Sequence, residues 1–348
     1  MSRTTALLDQ QLTRLANSTS IGGLSLTIEP NAQTEWAYSR GADKPFLVAS
    51  VSKTIYAAIA MVLVEEGRLS LEAPAMNYLG SEMMEGMCRI RGEDLSPSVL
   101  VSDLLAHTSG VPDYYRHKRI LPFGDVSTST AMDPGWTREE ALGIARAMPG
   151  KFPPHSGRSA YSFTNYQLVG AVLETVSGRS LGQLLEERIC KPLGLQNTDL
   201  LTPTNLSLFD KCLPVTFGKK PYKGARRMAS LGAEGAVVST SNELLAIFKA
   251  LVHGNLVSRD SFENMSRMRG QIWPGVSYGL GLMNLSVRNS WNPTAIPSAM
   301  LGHLGATGSF MLWLPRQDVF LAGHSGQLLG RKATQKILRA ALSFVVSQ

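Results

Sequence analysis

SVSKTIYAAIAMVLVEE, residues 50–66, is the stretch whose reading decides the fold. Its apolar side chains run almost all round a helical period, broken only at the ends, and such a helix has to be buried. Gly67 then stops it as a C-terminal glycine cap. On the N-terminal side, IGGLSLTIEP (21–30) and EWAYSRG (35–41) read as two short strands turning at Pro30-Asn31. Before them, TALLDQQLTRLAN (5–17) has the spacing of an amphipathic helix.

On the C-terminal side, residues from about 70 to 200 read as helical pieces broken by loops. One loop, 114–136, is rich in Pro, Gly, Ser and Thr. A helix is expected from Asn165 to Val176, closed by Ser177-Gly178. Another follows Ser180 and ends near Lys191-Pro192. Residues 203–230 read as an irregular connection, and Glu243 to Val252 as helix. GSFMLWLP (308–315) and VFLAGHS (319–325) alternate like the arms of a hairpin around Pro315–Asp318, and ATQKILRAALSFVV (333–346) is a closing helix. This order predicts an α+β fold with an antiparallel sheet flanked by helices. Residues 1–70 with 220–348 would form an α/β lobe and 71–219 a mostly helical lobe, with the active site in the cleft between them.

Ser50-Val51-Ser52-Lys53 is the one S-x-x-K of the chain. Residues three apart share a helix face, so the Lys53 amine can stand beside the Ser50 hydroxyl. A serine hydroxyl becomes a useful nucleophile when a base takes its proton, and burial lowers a lysine's pKa towards that task. A helix N-terminus adds N–H groups for a developing oxyanion. The structural alternative is Ser50 as a helix N-cap and Lys53 as a snorkelling side chain.

The run FLVASVSKTIYAAIAMVLVEEGRLSLEAPAMNYL (46–79) resembles the nucleophile helix of the class C β-lactamase and penicillin-binding-protein-like superfamily, which includes D-aminopeptidases and family VIII carboxylesterases. The resemblance continues in order through LLAHTSGVPDY (104–114), YSFTNYQLVGAVLETVSGRSL (161–181), ICKPLGLQNT (189–198), GAVVSTSNEL (235–244) and LGHLGATGSFMLWLP (301–315). It implies a β-lactamase/transpeptidase-like fold and a covalent acyl-enzyme on Ser50. By the same resemblance Tyr161 shares the general-base work of Lys53, and His303 of His303-Leu304-Gly305 lies by Tyr161 to stabilise or orient it. Gly305 would let substrate approach the strand, and the N–H groups of Ser50 and Ala306 would form the oxyanion hole. His324 and His155 head two further H-x-G tripeptides and rank behind His303, while His107 of HTSG is read as a loop-fixing residue.

One departure bears on substrate. The family's Y-x-N has Phe163 at its third position here, and a phenyl ring cannot replace the asparagine's hydrogen bonds. Esters are therefore favoured over β-lactams and peptides. Asn165 is either a stand-in for that asparagine or the cap of the following helix. The implied activity is an esterase on a small-molecule ester. Acyl transfer, D-amino-acid peptidase or β-lactamase activity, or an inactive binding protein are the alternatives.

Composition narrows the rest. With 348 residues, 44% hydrophobic and 18% charged, the chain is long enough for a full core. No run approaches the roughly 18 apolar residues of a spanning helix. The first residues lack a signal-peptide core, which predicts a cytoplasmic protein, with a mature form whose signal has been trimmed away as the rival. A net charge of +7 is spread out rather than gathered, its densest cluster being Lys219 to Arg227, so neither nucleic acid nor membrane is an expected partner. Cys88, Cys190 and Cys212 form no metal or disulfide pattern. No metal and no cofactor are expected. G-x-S-x-G, H-E-x-x-H and phosphate-loop motifs are missing. The tryptophans read as packing residues, with Trp291 a candidate for the wall of an acyl pocket.

Overall fold

The computed structural model describes residues 3–17, 21–31, 36–117, 133–286 and 299–348. Trp291 and most of the 114–136 loop lie outside the described residues.

Eight antiparallel strands make the main sheet: β1 (Ser25–Pro30), β2 (Tyr38–Arg40), β3 (Gly270–Trp273), β4 (Val276–Tyr278), β5 (Met283–Leu285), β6 (Met300–Leu304), β7 (Ser309–Leu314) and β8 (Val319–His324). Their spatial order is β3-β4-β5-β6-β7-β8-β1-β2. The first and last parts of the chain meet where β1 pairs with β8, Ser25 opposite His324 and Ile28 opposite Leu321. The hairpin predicted around Pro315–Asp318 is β7-β8, with Ser309 opposite His324 and Leu314 opposite Val319.

Alternation along these strands sorts side chains onto two faces. Phe310, Leu312 and Leu321 join Leu26 and Ile28 under the first and last helices, α1 (Arg3–Ala16) and α5 (Arg331–Val346), which contribute Leu8, Leu12, Ile337 and Ala341. Met311, Phe320 and Ala322 join the other core, with Ile55 and Ile59 of α2 (Ser52–Glu65) and Phe248 of α4 (Ser241–Val252). α2 is buried along nearly its whole length, as its all-round apolar sequence requires. Gly67 follows it in the left-handed region at φ +68°.

The middle of the chain folds as helices. α3 (Phe163–Ser177) is the longest of those described there and ends at left-handed Gly178. Ser180 caps the next segment reciprocally with Gln183, and the helical path continues through a wide turn (Glu186–Cys190) to Leu193, slightly past the expected stop. Residues 203–230 hold more order than expected: helices Ser207–Asp210 and Ala225–Ala229 and a hairpin of Thr216–Phe217 with Lys220–Pro221. A three-stranded sheet joins Phe46–Leu47, Val237–Ser239 and Asp199–Leu200. It anchors the start of the S-x-x-K segment to the middle of the chain. Among the described residues no helix is long and apolar enough to cross a membrane.

Candidate active site

Ser50 does not begin the α-helix. It sits in a 3-10 turn, Ala49–Val51, that leads into α2, and Ala49 is held at φ +47°, a region unfavourable to residues with a Cβ. The helix is N-capped by Val51 with no side-chain bond, so Ser50 is not a cap. The turn still brings the two groups together. Lys53 Nζ lies 3.2 Å from Ser50 Oγ and 2.6 Å from the Glu234 main-chain oxygen. Ser50 keeps 6% of its surface, whereas Lys53 has none and is not a snorkelling residue. Burial lowers the Lys53 pKa to about 8, against the opposing pull of Glu234 and Asp113.

Tyr161 precedes α3, and its ring centroid is 5.1 Å from Lys53 Nζ. Its hydroxyl is buried without a full hydrogen-bond partner. Burial pushes the phenol well above its usual pKa, and Ser50 is the neighbour that acts to lower it. Tyr161 is therefore a neutral phenol near neutral pH.

His303 lies by Tyr161, ring centroids 6.4 Å apart, with no hydrogen bond between the two side chains. Its Nε2 is 2.9 Å from the Tyr278 hydroxyl and its Nδ1 is 2.8 Å from the Leu304 carbonyl. A carbonyl only accepts, so the imidazole proton is on Nδ1 and Nε2 accepts from Tyr278. Burial lowers the His303 pKa to about 3, with Lys53 acting in the same direction. A neutral ring supplies no positive charge to a phenolate. His324 is further removed: buried, stacked on Phe46 at 4.7 Å, both ring nitrogens unpartnered. His155 is half exposed and turned to Ser98 and Asp103.

His107 does more than fix a loop. Its ring lies 4.3 Å from that of Tyr161 and 4.7 Å from that of Tyr278, forming one wall of the site. Its Nδ1 meets Asn165 Nδ2 at 3.0 Å, while Asn165 Oδ1 accepts from Ser109 at 2.7 Å. Asn165 lies inside α3, whose N-cap is Ser162, and so is not the cap. Both ends of its amide are spent on the HTSG segment, so it does not stand in for the missing asparagine either.

Phe163 touches the lysine, though not through a hydrogen bond. Its ring centroid is 4.4 Å from Lys53 Nζ and it stacks on Tyr115 at 4.2 Å. The phenyl meets Lys53 through its face, as a cation–π contact when the amine is charged. Gly305 also differs from expectation. A Cβ there would stand 2.0 Å from Ser309 Oγ and 2.5 Å from the Val48 carbonyl, so the close approach it permits is to the protein's own chain. Ala306 is partly buried next to it, its carbonyl taking the Leu329 N–H at 2.7 Å.

Trp273, read as a packing residue, lies 5.1 Å from the Tyr161 ring. The two border a cavity of about 190 Å³, whose walls also include Asp113, Arg116, Lys151 and Ser162.

Sequence reasoning missed Glu234, a fully buried carboxyl. Tyr114 donates to its Oε1, as does Gln167 Nε2 at 3.0 Å. Burial raises its pKa to about 8, with Lys53 the largest opposing influence. GAEGAVV carries no signal for this, since its apolar neighbours mark the segment as core.

Comparisons with known proteins identify the family and the fold. The family profile described as Beta-lactamase matches residues 8–342. The D-alanyl-D-alanine-carboxypeptidase/endopeptidase AmpH of Escherichia coli (strain K12) is 24% identical over 294 residues, which cover 80% of this chain and 69% of AmpH. Esterase EstB of Burkholderia gladioli is 31% identical over 157 residues, 44% of this chain and 38% of EstB. A D-stereospecific amidohydrolase from Streptomyces sp. superposes with a TM-score of 0.77 at 26% identity, covering 97% of this chain and 98% of its own.

Proposed function

Because the chain belongs to the beta-lactamase family, we propose that Ser50 is its nucleophile, that Lys53 and Tyr161 move the proton, and that it hydrolyses a small-molecule ester. The chain is a serine hydrolase of the β-lactamase and penicillin-binding-protein superfamily. The observation that carries the site assignment is the 3.2 Å approach of Ser50 Oγ to a lysine amine that burial brings to a pKa of about 8. At pH 7 such an amine is neutral roughly a tenth of the time.

In that form one N–H stays on the Glu234 carbonyl and the lone pair faces Ser50. Oγ attacks the ester carbonyl carbon and its proton passes to Lys53. The oxyanion lies against the N–H groups of Ser50 and Ala306. When the C–O bond to the alcohol breaks, the leaving oxygen takes a proton from Tyr161, which is replenished from Lys53. Water then adds to the acyl-Ser50 carbon, gives its proton back along the same path, and the acid leaves. Tyr161, held neutral by burial, works as a donor and relay rather than as a standing phenolate. His303 holds Tyr278 and takes no proton. The same reading divides the chain into an α/β lobe (1–70 with 220–348) and a helical lobe (71–219), with the site in the cleft between them.

Phe163 supports an ester over an amide or β-lactam: at the third position of Y-x-N it places an apolar face over the lysine and offers no hydrogen bond to an amide side chain. The likeness to the Streptomyces D-stereospecific amidohydrolase favours a second reading, hydrolysis of an amide of D configuration. A short-chain p-nitrophenyl ester assayed beside D-phenylalanine amide separates the two. The ester is expected to give a burst of one p-nitrophenol per chain followed by turnover, and Ser50→Ala should abolish both while the protein stays folded. Full turnover in Ser50→Ala, or neither burst nor turnover in the wild type, would overturn the assignment.

A further inference from the structure

The steps above use the main-chain oxygen of Glu234 and leave its carboxyl unexplained. That carboxyl is fully buried. Oε1 takes the Tyr114 hydroxyl, itself held by Trp136 Nε1 at 3.1 Å, and takes Gln167 Nε2 at 3.0 Å. Oε2 is buried with no partner. A buried carboxyl kept for structure alone is normally satisfied on both oxygens, because an acceptor taken out of water without a partner loses its hydration with nothing in return. One residue thus joins a half-satisfied acid to the proposed base: its carbonyl holds Lys53 Nζ at 2.6 Å, and its carboxyl, on the same buried residue, opposes the burial-driven fall of that amine's pKa.

We propose that Glu234 is a positioning residue for the Ser50–Lys53 pair: its carboxylate charge retains the proton on Lys53, and so fixes the pH above which Ser50 can be activated. This rests on the reading of Lys53 as the base. Burial brings the two groups to similar affinities for a proton, and each is the largest influence opposing the other's shift. They titrate as a pair. An ionised Glu234 favours the ammonium, and a neutral one releases the amine.

The surrounding groups leave this role to Glu234, with one rival. Near Lys53, His107 and His303 are held neutral by burial, and the phenols of Tyr161 and Tyr166 are pushed upward. Near Glu234, burial also raises the Tyr114 and Tyr115 phenols. The rival is Asp113, the smaller of the two influences that raise the Lys53 pKa. It is tied to the N–H groups of Phe163 and Tyr115 and faces Arg116 at 3.5 Å.

Glu234→Gln keeps an oxygen for Tyr114 and Gln167 and removes the charge. The test is an NMR titration of full-length protein carrying 13Cε-lysine, with the Lys53 resonance assigned by its loss in Lys53→Arg. It is run beside the pH profile of the p-nitrophenyl ester burst. In Glu234→Gln the Lys53 midpoint should fall by roughly one pH unit, and the acidic limb of the burst should move with it. Asp113→Asn should move both by less. An unchanged or raised midpoint in Glu234→Gln would overturn the proposal. Should that variant not fold, Tyr114→Phe takes its place. It removes a donor to Oε1, keeps Glu234 protonated to higher pH, and must also lower the Lys53 midpoint, or the proposal fails. The titration needs no turnover. A wild type without a burst therefore counts against the ester reading alone, and the Lys53 midpoint still judges Glu234.

Discussion

Acid should destabilise this protein through its buried histidines, and His324 allows the effect to be isolated. Its ring is fully buried, stacked on Phe46, and unpartnered at both nitrogens. Burial lowers its pKa from 6.5 to about 3. The folded-state pKa lies below the unfolded one, so the unfolded chain binds the proton first as pH falls below 6.5. Stability is then lost progressively between pH 6.5 and 3. From neutral pH down to 4.5 the unfolded state gains about two pH units of binding, which is about 2.7 kcal/mol from this one residue. That is a large share of the roughly 5–15 kcal/mol that holds a domain folded. His324→Leu removes the titration and leaves an apolar side chain against Phe46. Urea unfolding at pH 7 and pH 4.5 gives the loss for each protein, and any change in baseline stability from repacking cancels in the difference. The variant should lose about 2.7 kcal/mol less than the wild type over this interval. Equal losses would refute the assignment of a buried neutral imidazole at position 324.

Phe163→Asn should raise the ratio of amide or β-lactam hydrolysis to ester hydrolysis, by roughly tenfold if the phenyl face is what disfavours amides. kcat/KM on matched substrates reads this, and an unchanged ratio removes the reason for preferring esters. Gly110→Ala should destabilise by about 2 kcal/mol or more, because residue 110 sits at φ +72° and a Cβ there would stand 1.8 Å from the Phe152 carbonyl. Thermal unfolding checks it, and a wild-type Tm would contradict the close approach.

Much of this protein is legible along the chain because local periodicity follows from burial. The all-round apolar run after Lys53 could only be a core helix, and the alternation of residues 308–325 could only be paired strands with two covered faces. The S-x-x-K spacing likewise survives the change from an α to a 3-10 turn, since residues three apart stay on one side in both. What tertiary structure decided are the groups that matter through distance and dielectric. Glu234 lies 181 positions from Lys53, and nothing in its neighbours announces that its main-chain oxygen holds that amine while its carboxyl is buried nearby. Tyr278 takes the imidazole of His303, a pairing set by the alignment of β4 with β6 across β5. Burial, which no tripeptide encodes, makes His303 neutral, keeps the Tyr161 phenol protonated and brings Lys53 within reach of a neutral amine. The sequence determines which functional groups are present and their local spacing; the fold determines which of them lose water together, and so which protons they hold.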